Sequence, residues 1–207
     1  MARLFLACWL FWPFASLTTA GITYDEIVDG DLSDDNLVPT SLGEFTLGAN
    51  TISGNVRFSG SGVASDVDVF NFTVGIGNQL ESIVLLDYSS SDNVAFIGIN
   101  DATTFPYNSN ELDGVNAGFL PGDAFLGGTV FGPINVGNDI QPQLGTAAGR
   151  GFTGALTAGD YAIFIQQKGA VTDYQFAFNI SAVPEPSSLA LCLLAAGLCR
   201  RRRPQTV

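Results

Sequence analysis

Carboxylates are the plentiful reactive side chains of this 207-residue chain, which holds twenty Asp and Glu and no histidine. Without an imidazole, neither a Ser-His-Asp nor a Cys-His nucleophile can be assembled. The three cysteines, Cys8, Cys192 and Cys199, all fall in the apolar ends. Residues 21–183 therefore offer no thiolate, no disulfide and no nitrogen or sulfur ligands for zinc. A Ser–Lys pair would need Lys168, which sits in the turn signal Lys168-Gly169-Ala170. Two carboxylates suffice for glycoside hydrolysis, but no spacing singles out a pair. No catalytic residue is assigned, and a secreted carboxylate-dependent hydrolase is the weakest of the readings.

Oxygen ligands alone suit calcium, which takes six to eight of them, several from carboxylates. Asp29-Gly30-Asp31-Leu32-Ser33-Asp34-Asp35 brings four carboxylates around one glycine, and Asp66 and Asp68 bring two more at the start of a strand. Like charges this close repel one another, and a cation relieves that. The pattern is not an EF-hand, since no twelve-residue loop ends in glutamate. Asp66 and Asp68 are expected at a strand mouth, where core gives way to solvent. The competing reading is a solvated acidic turn, and no other cofactor is expected.

The charge is segregated. Arg3 and Arg200 to Arg203 lie at the ends. Residues 21–183 hold nineteen acids against Arg57, Arg150 and Lys168, a net of −16. Such a surface repels nucleic acid and anionic lipid and favours cations and solubility. Met1 to Ala20 reads as a secretory signal: Arg3, an apolar run from Leu4 to Phe14, then small residues before a cut between Ala20 and Gly21. It implies handling by Sec export machinery.

At the other end, Pro184-Glu185-Pro186 precedes an apolar, helix-permissive segment, Leu189 to Cys199, and then the block Arg200, Arg201, Arg202 and Arg203. The prolines stop a helix from extending upstream and leave extended backbone. The apolar segment falls short of the roughly 20 residues that span a bilayer core, and the arginines would hold to the cytoplasmic side. In this order the three parts resemble the PEP-CTERM sorting signal of Gram-negative envelope proteins. The resemblance covers about the last 25 residues. It implies transient membrane insertion of a short C-terminal transmembrane helix, recognition by an exosortase-type processing enzyme, and removal of the tail. The competing reading is a plain C-terminal anchor.

Three segments follow: signal peptide 1–20, extracellular domain 21–183, and sorting tail 184–207. The domain reads as strands. Phe70, Phe72 and Val74 alternate with Asn71 and Thr73; Tyr174, Phe176, Phe178 and Ile180 alternate with Gln175, Ala177 and Asn179. Leu80 to Tyr88 is expected to be buried on both faces, with Gly75 to Asn78 ending the strand before it. Gly48-Ala49-Asn50 and Gly60-Ser61-Gly62 are turn signals. Thr23 to Asp35 reads as a surface loop. Residues 101–150 read as long loops, with a strand only at Phe125 to Phe131. No window carries a sustained helical period. The fold class is all-β, an antiparallel β-sandwich of jelly-roll type, flanked by an N-terminal signal helix and a short C-terminal apolar helix.

Asp66-Val67-Asp68-Val69-Phe70-Asn71-Phe72, Leu156 to Tyr161, and Tyr174 resemble the bacterial pre-peptidase C-terminal domain. That resemblance implies an accessory, non-catalytic module. The expectation is an exported protein of the cell surface or extracellular matrix, structural or adhesive in role. The alternative is a calcium- or glycan-binding module that meets extracellular polysaccharide, for which Tyr88 and Tyr107 are the candidate sugar-stacking faces.

Overall fold

Alternating aromatic and β-branched residues, with glycines between the runs, favour pleated strands over helices. The computed structural model describes residues 21–57, 66–113 and 124–183. The signal segment, the Gly60-Ser61-Gly62 turn, and the tail with Pro184, Glu185, Pro186 and the arginine block lie outside those residues. The strands are β1 (Thr23–Asp25), β2 (Thr40–Phe45), β3 (Gly48–Val56), β4 (Asp68–Ser90), β5 (Ala95–Asn100), β6 (Gly127–Phe131), β7 (Leu156–Gln166) and β8 (Thr172–Ala182). Among the described residues three short α-helices, α1 (Glu26–Asp29), α2 (Ser109–Asp113) and α3 (Gln141–Ala147), and a 3-10 turn at Pro133–Asn135 join them.

The strands form one sheet in the order β1-β3-β8-β4-β7-β5-β6, with β2 beside β4. The chain is mostly β, as expected, but the sheet is mixed: β1 runs parallel to β3 and β2 parallel to β4. Its last strand, β8, lies centrally, antiparallel to both β3 and β4. No helix among the described residues is long and apolar enough to cross a membrane.

Strand β4 departs furthest from expectation. It does not end at Gly75 to Asn78; it runs on for 23 residues. Its first part pairs with β7 and its second with β8, and the β7 register shifts between Val74 and Gln79. Gly77, at φ +83°, takes up the distortion. The second part is not buried on both faces. Leu80, Ile83, Leu85 and Tyr88 are buried, whereas Leu86 is 40% exposed. Burial on both faces belongs instead to β7. Its Tyr161, Ile163 and Ile165 enter the main core, and its Ala162 and Phe164 enter a second cluster with Phe105 and Phe125.

Other turn signals are overridden by pairing. Gly48 and Ala49 open β3, which then runs unbroken through Gly54 against β8. The described parts of the 101–150 region are more regular than their glycines and prolines suggest. α3 is too short to show a helical period, yet it buries Leu144, and Ile140 just before it is fully buried. Gly137 and Ile140 donate backbone hydrogen bonds to Leu85 and Ile83, so residues 137–140 cover an edge of β4 that would otherwise be open.

The main core is aromatic. Phe45 stacks on Phe72 at 4.2 Å, and Phe178 meets Phe45, Phe70 and Phe72. Phe131 of β6 packs against Phe176 of β8 at 5.1 Å. Strands far apart in the sheet order therefore face one another across a common interior.

Candidate functional site

Asp68 opens β4 on the same face as Phe70 and Phe72, as the alternation requires, but it does not sit at an open mouth. It is fully buried, next to Tyr174 of β8, whose hydroxyl donates to Asp68 Oδ2 at 2.6 Å. Asp68 Oδ1 is buried without a hydrogen-bond partner.

The segment from Thr23 to Asp35 closes over this carboxylate, and it is not the irregular loop expected. β1 adds to β3, and α1 follows at once. Asp25 Oδ1 caps α1 by accepting from Ile27 N at 3.0 Å. Gly30, at φ +103°, turns the chain back, and Leu32 plugs into the main core. Beyond it the segment is tied to β4 on either side of Asp68. Val69 N donates to Ser33 O at 2.8 Å, and Val67 N donates to Asp34 Oδ1 at 2.9 Å.

This path brings Glu26, Asp31 and Asp68 together, each with a carboxylate oxygen within 4.8 Å of the others. Exposure grades across the three: Asp31 is exposed, Glu26 half-buried and Asp68 buried. Glu26 is positioned by two backbone donors, Leu32 N to Oε1 at 2.9 Å and Asn55 N to Oε2 at 2.7 Å. Each carboxylate oxygen has a second lone pair, so these bonds leave it able to accept again. Gly54 supplies the room: a Cβ there would lie 2.7 Å from Tyr174 Cζ and 2.8 Å from Asp68 Oδ2.

Of the carboxylates expected to bind metal, Asp31 and Asp68 meet. Asp29 instead accepts from Asp25 N, Asp34 from Val67 N, and Asp35 from Leu37 N. Asp66 pairs with Arg57 at 3.3 Å. Glu26, the third member of the cluster, lies outside the Asp-Gly-Asp run that the sequence singles out. The available signal was its place one residue after a helix-capping aspartate.

The electrostatics are those of crowded acids. Burial, then the Glu26 charge, raises the Asp68 carboxyl well above its usual range. Burial raises Glu26 against the pull of its two backbone donors. Asp66 is pushed up to about 6 by burial and by Asp31 and Asp34, against the pull of Arg57. A carboxyl whose folded pKa exceeds its unfolded value stabilises the fold at low pH, and that contribution fades as pH rises through the folded value. In chelator-containing buffer the thermal midpoint is therefore expected to fall between about pH 4 and pH 6 and beyond. Asp66→Asn should flatten that slope; thermal denaturation across pH measures both.

A cleft of about 440 Å³ has Asp25, Glu26, Gly54, Asp87, Asp173 and Tyr174 in its lining, so that of the three carboxylates Glu26 borders it. A separate groove of about 410 Å³ is bounded by Glu81, Asp139, Gln141 and Phe152. Of the two tyrosines expected as sugar platforms, the first is buried and the second is half-buried. Tyr88 packs against Phe131 and donates to Asp92 O, and Tyr107 packs edge-on to Phe125 against the second cluster.

No family model matches this chain, and no curated protein or solved structure is significantly similar to it.

Proposed function

We propose that this is an exported protein of the bacterial surface or extracellular matrix, sorted by an exosortase through its C-terminal motif, with a structural or adhesive rather than catalytic domain. The observation that carries the reading is the composite tail: Pro184-Glu185-Pro186, an apolar segment and four arginines in order. The fold is consistent with a cut there. β8 ends at Ala182, and Val183 N still donates to Gly77 O at 2.8 Å. Removal of everything from Pro184 onward would leave every described strand whole. The curled sheet is read as a sandwich of jelly-roll type, supported by Phe131 of β6 meeting Phe176 of β8.

A glycan-binding role is the second reading. The groove that favours it joins two carboxylates and an aromatic ring, Phe152, to Gln141. The Gln141 Oε1 is buried and unpartnered while its Nε2 donates to Leu80 O and Gly154 O. Hydroxyl-rich ligands pair with such groups.

Changing Pro184, Glu185 and Pro186 to alanine is expected to leave the chain in the membrane fraction with its tail uncut. Intact mass of the protein recovered from its native host checks this. The parent chain should yield a product running from near Gly21 to near the motif. A mutant processed like the parent would end the sorting reading.

A further inference from the structure

We infer that Glu26, Asp31 and Asp68 form a calcium site that fastens the N-terminal segment onto the start of β4. Two independent observations carry it. The first is convergence: two carboxylates of the N-terminal segment and one from the start of β4 present oxygens within 4.8 Å of one another. Calcium–oxygen bonds of about 2.3–2.6 Å let one ion reach oxygens so spaced. The second is the state of Asp68. It is fully buried, and its Oδ1 has no hydrogen-bond partner. A buried carboxylate oxygen left unpaired is costly, and a coordinated cation removes that cost. Arg57 is engaged with Asp66, and Arg150 with Asp101, so neither arginine supplies the balancing charge.

The surroundings are built for an ion and not for a side chain. The Tyr174 hydroxyl holds Asp68 Oδ2, and two backbone donors fix Glu26. Gly54 leaves open the volume that a Cβ would fill. Asp31 lies on the solvent side, which gives an ion a way in and leaves room for water ligands.

The donor set selects the ion. All three ligands are hard carboxylate oxygens, which suit calcium or magnesium and not zinc or copper. Magnesium demands near-ideal octahedral geometry and sheds water reluctantly, whereas the buried Asp68 can be reached only by a dehydrated face. Calcium tolerates irregular, partly dehydrated coordination. Three carboxylates completed by water point to the affinity of extracellular modules, about 10⁻⁴–10⁻³ M.

The test uses the purified full-length chain, with terbium ion as the probe. Tb³⁺ takes calcium-like oxygen ligands and emits when a neighbouring tyrosine is excited, and Tyr174 touches the site. Saturable emission is expected, displaced by calcium in that range but not by equal magnesium. The thermal midpoint should rise with added calcium. Asp31→Asn, at an exposed position, and Glu26→Gln should each weaken calcium binding at least about tenfold, the loss of one charged ligand from a small set. Asp35→Asn should not. Asp68→Asn is the severe variant, and if it fails to fold the other two still decide. A folded parent chain that shows no saturable calcium binding up to about 10 mM, ten times the weak end of that range, overturns the inference. Binding unchanged in both Asp31→Asn and Glu26→Gln overturns it equally, because the ion would then sit elsewhere.

Discussion

Replacing Phe178 with alanine is expected to destabilise the protein by about 3–5 kcal/mol, the range for truncating a fully buried phenylalanine. Phe178 is the ring on which the core converges. It meets Phe45 of β2, Phe70 and Phe72 of β4, and Phe176 of its own strand, at centroid distances between 5.4 and 6.4 Å. Truncation forfeits the transferred surface and leaves a cavity among rings that cannot all close in, because they are held by three strands, β2, β4 and β8. At this chain size the loss corresponds to a fall of roughly 6–20 °C in thermal midpoint. Ile27→Ala is the control, since Ile27 is 94% exposed and surface changes of this kind stay within about 0.5 kcal/mol. Chemical denaturation with matched m-values separates the two. A Phe178→Ala protein as stable as the control would mean that the rings do not form one packed core.

Gly54→Ala is expected to cost about 1–3 kcal/mol, the range for inserting a methyl into packed space, and to abolish calcium binding. Gly54 lies mid-strand with Tyr174 as its cross-strand partner. A new methyl would overlap the tyrosine ring and Asp68 Oδ2. Tyr174 has little freedom to retreat, because it is buried and its ring lies 5.5 Å from Phe176. The methyl must therefore push the hydroxyl off Asp68 or lift β3 from β8, and either distorts the carboxylate set. Thermal denaturation with and without calcium reads both effects. A mutant that is destabilised but still gains stability from calcium would place the ion away from Asp68. A glycine inside a strand is a weak point on local preference alone, whereas beside Tyr174 the missing Cβ is a requirement.

The same contrast explains what was legible. β8 was plain, since Tyr174, Phe176, Phe178 and Ile180 alternate in a segment paired on both edges. Asp68 could be placed on the phenylalanine face by counting in twos. Its burial could not be foreseen, because the cover comes from residues more than thirty positions earlier in the chain. The expected break at Gly75 to Asn78 failed for a related reason. Those glycines bend a strand whose two parts are each held by pairing on their own side of the bend, so local turn preference loses to pairing. α3 was missed because seven residues hold too few apolar positions to reveal a period. Glu26 carried no local mark of ligation, and only β1 docking on β3 carries it to Asp68.

The central place of β8 has a consequence for the order in which the molecule can assemble. β3 depends on β8 for its antiparallel ladder, from Gly48 opposite Ile180 to Val56 opposite Thr172. The second part of β4 depends on the same strand, and the core lacks Phe176 and Phe178 until it arrives. β8 is also the last strand among the described residues. A growing or threading polypeptide therefore holds its hydrophobic strands unsatisfied until about residue 182 is free. Loops of this length must then close in a single late step, which makes folding slow. The ladders of β3 and of the second part of β4, and two rings of the core, are therefore completed last.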